Sequence, residues 1–209
     1  MHAPEDGATA STGDGVAALD RLSEQLLAAA GGVRVAVAVT DEEREATFRL
    51  RYEQVVSQGW ARAEELAAGL ERDVYDADAL HVGAWHDEAL AGTLRLVLPS
   101  PGRRLPVEDA FELDIEPRGM VVEAGRLLVA TPYRGDPAHR IWGALFARAW
   151  LTLRSHGFAV LAGAASPRMI QRLRALGLPF EILAPTRSHW GEERHPVRLD
   201  PADSRPHWF

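Results

Sequence analysis

The run VVEAGRLLVA, residues 121–130, most strongly constrains the fold of this chain. Its apolar and β-branched residues are typical of a strand in the interior of a sheet, yet it contains Glu123 and Arg126. Burying either charge without a partner is energetically costly, so each requires a partner. The partnership is either a structural ion pair between the two residues or part of a reaction site.

The segments on either side alternate between strand and helix patterns, with turn or cap residues at most boundaries. The predicted elements are a strand at 33–39, a helix at 41–57, helical turns at 61–70, a hairpin at 81–98, a strand at 121–130, a helix at 141–157, a strand at 158–164, a helix at 166–177, and weak strands at 180–183 and 197–200. This order predicts an α/β fold, a mixed sheet in a single domain.

The predicted boundaries follow composition. Residues 1–14 are small, polar and rich in glycine, which predicts a disordered tail. Residues 15–32 have helical spacing and end in Gly-Gly, which predicts an amphipathic helix. The folded domain is expected at 33–200, with a tail at 201–209.

Composition excludes several kinds of chemistry. The chain has no cysteine and no lysine, so its 23 basic residues are all arginine, which removes thiolate nucleophiles, Schiff bases and a P-loop lysine. A net charge of −7 disfavours nucleic acid as a partner. No apolar run is long enough to span a membrane and the start lacks the pattern of a secretory signal, so we expect a cytoplasmic protein.

Polar residues elsewhere have two or more interpretations. Asp73 and Asp76 could bind an acceptor ammonium or sulfonium, pair with Arg51 and Arg95, or belong to a solvated acidic loop. Arg51 could also be an exposed helix residue, and Trp60 could belong to the core. His81 and His86 lack the spacing of metal ligands, so no metal site is predicted.

The segments FRLRYEQVVSQGW, DVYD, GTLRLVLP, FELD and VVEAGRLLVA occur in an order that resembles the N-acyl-homoserine-lactone synthases and the related N-acyl amino acid synthases. These are acyltransferases of the GNAT superfamily. The resemblance covers roughly residues 33–183. It implies a mainly antiparallel sheet flanked by helices, with a splayed central pair of strands.

The resemblance also implies roles for individual residues. Glu123 would be the catalytic base. The polar cluster on the acceptor side would comprise Arg51, Trp60, Asp73, Asp76, Arg95 and Arg126. The acyl donor would contact Leu128, Val129, Ala130, Arg134 and Arg140. The chain departs from the family pattern at Gly125, where a small polar residue is usual, and at Val55 or Val56, where an aromatic residue is usual.

The implied activity is an N-acyltransferase that moves a fatty acyl group from an acyl-carrier-protein or acyl-CoA thioester to the amine of an amino acid or S-adenosylmethionine. No permanently bound cofactor is expected. The alternatives are an acetyl-CoA-dependent N-acetyltransferase and a non-catalytic protein that binds acyl ligands. The pyrophosphate turn of acetyl-CoA enzymes would place Pro137 and His139 where glycines are usual, and proline lacks an N–H, which favours the carrier protein.

The resemblance finally implies a β-bulge within residues 123–126. In a regular strand Glu123 and Arg126 would point to opposite faces, because their positions differ by an odd number. One inserted residue, with Gly125 adopting the unusual backbone angles, would bring both side chains to the cleft. Backbone groups from Leu128 to Ala130 would then remain free for the pantetheine arm.

Overall fold

The computed structural model describes residues 12–202 except 176 and 179, with the backbone alone at residues 12 and 136–138. The helices are α1 (Thr12–Ala28), α2 (Asp41–Ser57), α3 (Pro106–Phe111), α4 (Asp136–Ser155) and α5 (Pro167–Ala175). The strands are β1 (Val33–Val37), β2 (Leu80–His86), β3 (Ala89–Val97), β4 (Val121–Val129), β5 (Val160–Ala165), β6 (Glu181–Ile182), β7 (Arg187–His189) and β8 (Glu192–Leu199).

The strands form one eight-stranded sheet with the order β1-β2-β3-β4-β5-β8-β6, and β7 pairs with β8. Strands β4 and β5 are parallel, whereas all other strand pairs among the described residues are antiparallel. The predicted mixed, mainly antiparallel α/β sheet is therefore confirmed. No helix in the described residues is long and apolar enough to cross a membrane.

Helix α4 forms the centre of the core. Its residues Leu145, Trp150 and Leu153 have no exposed surface and pack against the sheet. The Trp150 indole N–H donates to Asp20 Oδ1 at 2.7 Å, which satisfies a buried polar group and attaches α1 to α4. Helix α2 begins as expected from the sequence, with the Thr40 side chain accepting the Glu43 N–H at 3.1 Å.

Several elements differ from the prediction. The segment at 111–115, to which no element was assigned, follows the short helix α3 that Pro106 starts, and the Glu108 carboxylate accepts the N–H groups of Leu105 and Ile115, which holds this segment in a compact turn. Strand β7 was missed because it has only three residues. Helix α1 begins at Thr12, inside the predicted tail, and ends at Ala28; residues 1–11 and 203–209 lie outside the described chain.

The central strand β4 contains the expected bulge, but the residue with the unusual backbone angles is Arg126 and not Gly125. Arg95 pairs with Gly125 and Thr93 pairs with Leu128, so β4 has one extra residue opposite Leu94. Arg126 has φ 55° and takes the left-handed conformation that was expected at Gly125. The bulge therefore turns Arg126 toward the same cleft as Glu123, as predicted.

Strands β4 and β5 separate immediately after Glu123. Their register ends with Glu123 opposite Ala162, and Ala124 and Gly163 come next on the two strands. A Cβ atom at Gly163 would lie 2.5 Å from the Ala124 carbonyl oxygen, so the backbones are in close contact where the strands part. Only glycine fits at this position, and the cleft opens directly beyond it.

We expect Gly163→Ala to lower the free energy of unfolding by about 1–3 kcal/mol, the usual cost of overpacking a tight site. Gly125→Ala is the matched control, since a Cβ at Gly125 would meet only Glu123 Oε1 at an ordinary 3.5 Å. Urea denaturation of both variants measures the difference. Equal losses in the two variants would contradict the importance of the close contact at Gly163.

Candidate active site

A cleft of about 330 Å³ lies where β4 and β5 diverge, closed by α4, α5 and the β7–β8 hairpin. Its larger part is apolar. The apolar lining residues are Leu94, Leu127, Leu128, Trp142, Phe146, Leu161, Met169, Leu173, Phe180 and Val197. The polar part contains Trp60, Glu123, Arg126, His189, Trp190, Glu192 and Arg194. The cleft thus joins an apolar channel to a group of charged side chains.

Glu123 lies at the junction of these two parts and is only 5% exposed. Its Oε2 accepts the Val107 N–H at 2.6 Å. Burial raises the pKa of Glu123 to about 7, because desolvation outweighs the Val107 hydrogen bond and the charges of Arg95 and Arg126, which lower it. At neutral pH this carboxyl group can therefore both accept and release a proton.

Three arginines from three elements, two of them buried and one largely buried, converge on the segment that precedes β2. Arg51 of α2 is fully buried and donates to both carboxylate oxygens of Asp76, at 2.8 and 2.9 Å, while its Nε donates to Glu71. Arg95 of β3 donates to Asp73 at 2.7 Å and to Asp76 at 3.0 Å. The bidentate Arg51–Asp76 pair has the geometry of strong charge-assisted hydrogen bonds.

Arg126 of β4 completes this network. Its Nη2 donates to Asp73 at 2.9 Å and to Glu71 at 3.2 Å. Burial lowers the pKa of Arg126 to about 10, so the guanidinium remains charged at neutral pH. The carboxylates of Glu71, Asp73 and Asp76 are thus neutralised by Arg51, Arg95 and Arg126.

Burial alone would raise the pKa of Asp76, but its hydrogen bonds and ion pairs with Arg51 and Arg95 outweigh burial and hold the pKa well below its usual range. Asp76 is therefore ionised at any pH at which the protein would function. Its charge contributes to the fold and is not available as a base.

The network shows which partners several of the predicted site residues have. Arg51 is not an exposed helix residue, and Asp73 and Asp76 pair with Arg51 and Arg95. The alternative of an ion pair between Glu123 and Arg126 is wrong, because Arg126 pairs with Glu71 and Asp73. Glu71 was missed; it opens the acidic stretch ERDVYDAD, and that position was its only signal.

The β7–β8 hairpin covers the polar part of the cleft. The Arg126 guanidinium carbon lies 3.6 Å from the centroid of the Trp190 ring, a close cation–π contact. Gly191 sits against Trp60, since a Cβ there would lie 2.1 Å from Trp60 Cδ1. Trp60 therefore lines the cleft, whereas the contributions of His189, Trp190 and Arg194 were missed together with β7.

The predicted donor-side residues are less clustered. Leu128 lines the cleft. Beyond Glu123, the edge of β4 that faces β5 makes no strand pairing. On the other edge of β4, Val129 pairs with β3 and the Ala130 N–H donates to the Ala91 carbonyl of β3. Arg134 donates to Gln54 of α2, so its guanidinium is held by the protein. Arg140 is exposed on the first turns of α4. Within the described residues no group of acidic or histidine side chains could hold a metal ion.

Residues 50–143 match the family described as an acetyltransferase (GNAT) domain. The chain has a GNAT fold. A CoA-dependent acyl-homoserine lactone synthase, MesI, shares 26% identity and a TM-score of 0.64, with 80% of this chain and 89% of that chain covered. FeeM, an N-acyl amino acid synthase from uncultured soil microbes, shares 18% identity and a TM-score of 0.64, covering 82% and 91%.

A third GNAT-fold structure is BjaI, a CoA-dependent acyl-homoserine lactone synthase with S-adenosylmethionine and isopentyl-CoA, at 21% identity and a TM-score of 0.63, covering 80% of this chain and 82% of that chain. No curated protein sequence matches the chain. The predicted resemblance to these synthases is confirmed, and the GNAT domain together with the synthase neighbours supports an N-acyltransferase enzyme.

Proposed function

We propose that the protein transfers a fatty acyl group from a phosphopantetheine thioester to the amine of a small acceptor such as an amino acid or S-adenosylmethionine. One observation carries the proposal: Glu123, with its pKa raised to about 7, lies where the parting strands open into an apolar cleft. A base with a pKa near the working pH is the most effective for general catalysis. The apolar lining supplies the environment that a fatty chain requires.

In the proposed reaction the neutral amine attacks the thioester carbonyl carbon. The new C–N bond forms, Glu123 takes a proton from the amine directly or through water, and collapse of the tetrahedral intermediate breaks the C–S bond. The departing thiolate then receives a proton, and the products are an amide and a free thiol. No covalent enzyme intermediate is required, which agrees with a chain that has no cysteine.

The size of the cleft favours a fatty acyl group over an acetyl group. A two-carbon acetyl group would leave most of the 330 Å³ volume and its apolar lining unused. Residues Trp142, Phe146 and Met169 instead offer apolar surface along a chain of several carbons. The arginine network of Arg51, Arg95 and Arg126 would hold β3 and β4 in the geometry that keeps this cleft open.

The decisive experiment follows thiol release and identifies the amide by mass spectrometry. Purified protein receives acetyl-CoA, octanoyl-CoA or decanoyl-CoA with a panel of amino acids and S-adenosylmethionine. Thiol release that needs both a long-chain donor and an amine, with formation of the matching amide, supports the proposal. Activity with acetyl-CoA alone supports the acetyltransferase alternative, and binding of acyl-CoA with turnover of neither the acyl-CoA nor the matching acyl carrier protein thioester supports a non-catalytic protein.

For the donor, we expect an acyl carrier protein thioester to react with a higher kcat/KM than the same acyl-CoA. The basis is the start of α4, where Pro137 lacks the N–H that a pyrophosphate cradle needs. Charge reversal at Arg140 should weaken use of the carrier in a salt-dependent way, because exposed charges steer association and are screened by salt. The control is Arg21→Glu, an exposed arginine of α1.

Steady-state kinetics at low and high salt test this expectation. MesI and BjaI are CoA-dependent enzymes, so use of CoA has precedent among the similar folds. Equal or better turnover of the CoA thioester would overturn the preference for the carrier protein and leave the proposed acyl transfer intact.

A further inference from the structure

The charges that line the cleft are unevenly distributed. Four arginines and two glutamates line it: Glu123, Arg126, Arg168, Arg172, Glu192 and Arg194. Arg126 is neutralised by Glu71 and Asp73, which do not line the cleft, so three arginines, Arg168, Arg172 and Arg194, remain against Glu123 and Glu192. The described part of the cleft is therefore electropositive and suited to a molecule with an anionic group.

Arg194 is the arginine of the polar part with the smallest set of protein partners. It precedes His195 in β8, which pairs with Ala165 at the far end of β5. Its side chain is 20% exposed, and among the described residues it contacts one carboxylate, Glu192 on its own hairpin, at 3.2 Å. Arg126, by comparison, contacts two carboxylates and stacks on Trp190.

The surroundings of Arg194 strengthen an interaction with an anion. Burial lowers its pKa and outweighs the charge of Glu192, which raises it, so the guanidinium has lost much of its hydration. Its Nε is buried and has no hydrogen-bond partner within the described residues. A partly dehydrated guanidinium with unused donors gains more from a carboxylate than a solvated one does.

The hairpin also holds Arg194 in place. Its guanidinium carbon lies 5.4 Å from the centroid of the Trp60 ring, and Gly191 at the turn packs closely against the same indole. Trp190 anchors the hairpin from the other side through Arg126. The donors of Arg194 are thus positioned before any ligand enters, which reduces the entropic cost of binding.

We infer that Arg194 is a specificity-determining residue that binds a carboxylate on the acyl acceptor. The inference rests on the proposed function and narrows its acceptor to amines that carry an anionic group. A guanidinium and a carboxylate can form two parallel hydrogen bonds, a geometry that a neutral amide does not reproduce. Acceptors without the negative charge lose this contact and therefore bind more weakly.

The kinetic test compares acceptors that differ only in this charge. Phenylalanine and phenylalaninamide, and leucine and leucinamide, are supplied with octanoyl-CoA to the wild type and to Arg194→Gln. We expect the variant to raise KM for each amino acid about 10-fold or more, as for loss of a charged hydrogen bond, with little change for the amides. Arg194→Lys should recover part of the loss.

The control is Arg187→Gln on the same hairpin. Arg187 is exposed, pairs with Glu112 at 3.2 Å and does not line the cleft, so its loss should leave both acceptors unchanged. An equal effect of Arg194→Gln on amino acids and amides, or a wild-type preference for the amides, would overturn the inference.

A binding measurement separates this inference from the proposed reaction. Isothermal titration calorimetry compares N-octanoylphenylalanine with N-octanoylphenylalaninamide, without any turnover. Tighter binding of the acid that disappears in Arg194→Gln supports the carboxylate contact even if no thiol is released in the kinetic assay. Equal binding of the two compounds to the wild type refutes it, whatever the outcome of the acyl-transfer test.

Discussion

Glu123→Gln is expected to lower kcat by about 10²-fold or more, the usual contribution of a general base. Glutamine keeps the size of the side chain and can still accept the Val107 N–H, but it cannot take the proton of the attacking amine. The wild-type rate should rise with pH through about 7, where Glu123 loses its proton, and the variant should lack this step. Thiol-release kinetics over a pH series measures both effects.

The control for this variant is Glu88→Gln, an exposed carboxylate in the turn between β2 and β3. Folding is checked separately by thermal unfolding. Because the folded-state pKa of Glu123 is raised to about 7, the folded wild type binds a proton more tightly than the unfolded chain and loses stability as pH rises toward that value. The Gln variant should therefore be at least as stable as the wild type at pH 8. Wild-type turnover in a folded variant would rule out the base.

Arg51→Met should lower the free energy of unfolding by about 3–5 kcal/mol, the cost of removing one partner from a buried ion pair. The substitution keeps an unbranched side chain but leaves the buried carboxylates of Glu71 and Asp76 without their closest counter-charge. The matched control is Arg49→Met on the same helix. Arg49 is exposed and pairs with Glu45 four residues away, so about 0.5 kcal/mol or less is expected.

Urea denaturation at pH 7 measures both variants, and a loss of less than about 1 kcal/mol in Arg51→Met would mean that other groups compensate for the buried charges. The wild type should also lose stability in acid. The pKa of Asp76 is held below its usual range, so its contribution is fully present above that range and disappears as pH falls through the lowered pKa. This acid-sensitive part should be smaller in Arg51→Met.

The sequence predicts the parts of this site that depend on local pattern. The strand with two charges, the arginine in the apolar run of β3 and the acidic stretch before β2 were each visible, and the structure brings Arg51, Asp73, Asp76, Arg95 and Arg126 together. The position of the bulge was predicted less accurately. Glycine is the residue that tolerates a positive φ most easily, yet Arg126 adopts it, and in this conformation its guanidinium pairs with Glu71 and Asp73 and lies over Trp190.

The rest of the site depends on contacts between segments that are distant in sequence. Glu71 joins the network through its contact with Arg51 of α2, twenty residues earlier in the chain. Trp190 and Arg194 reach the cleft through a hairpin whose first strand has three residues. Such a short strand gives no periodic signal that would distinguish it from a loop. The acceptor side was therefore predicted incompletely, while Glu123 stood out from the pattern of its strand and was given the role of base by the family resemblance.

Because the Val107 N–H donates to Glu123, the pKa of Glu123 depends on the packing of a separate part of the core. Val107 lies in α3, whose apolar residues pack in a small cluster with Phe111, Ile115 and Val121, apart from the main core around α4. If that cluster loosens and the N–H withdraws, the pKa of Glu123 rises further; if water enters, its pKa falls toward that of an ordinary carboxylate. The pH optimum of the enzyme would then report on the packing of α3, and substitutions that never touch a substrate could shift it.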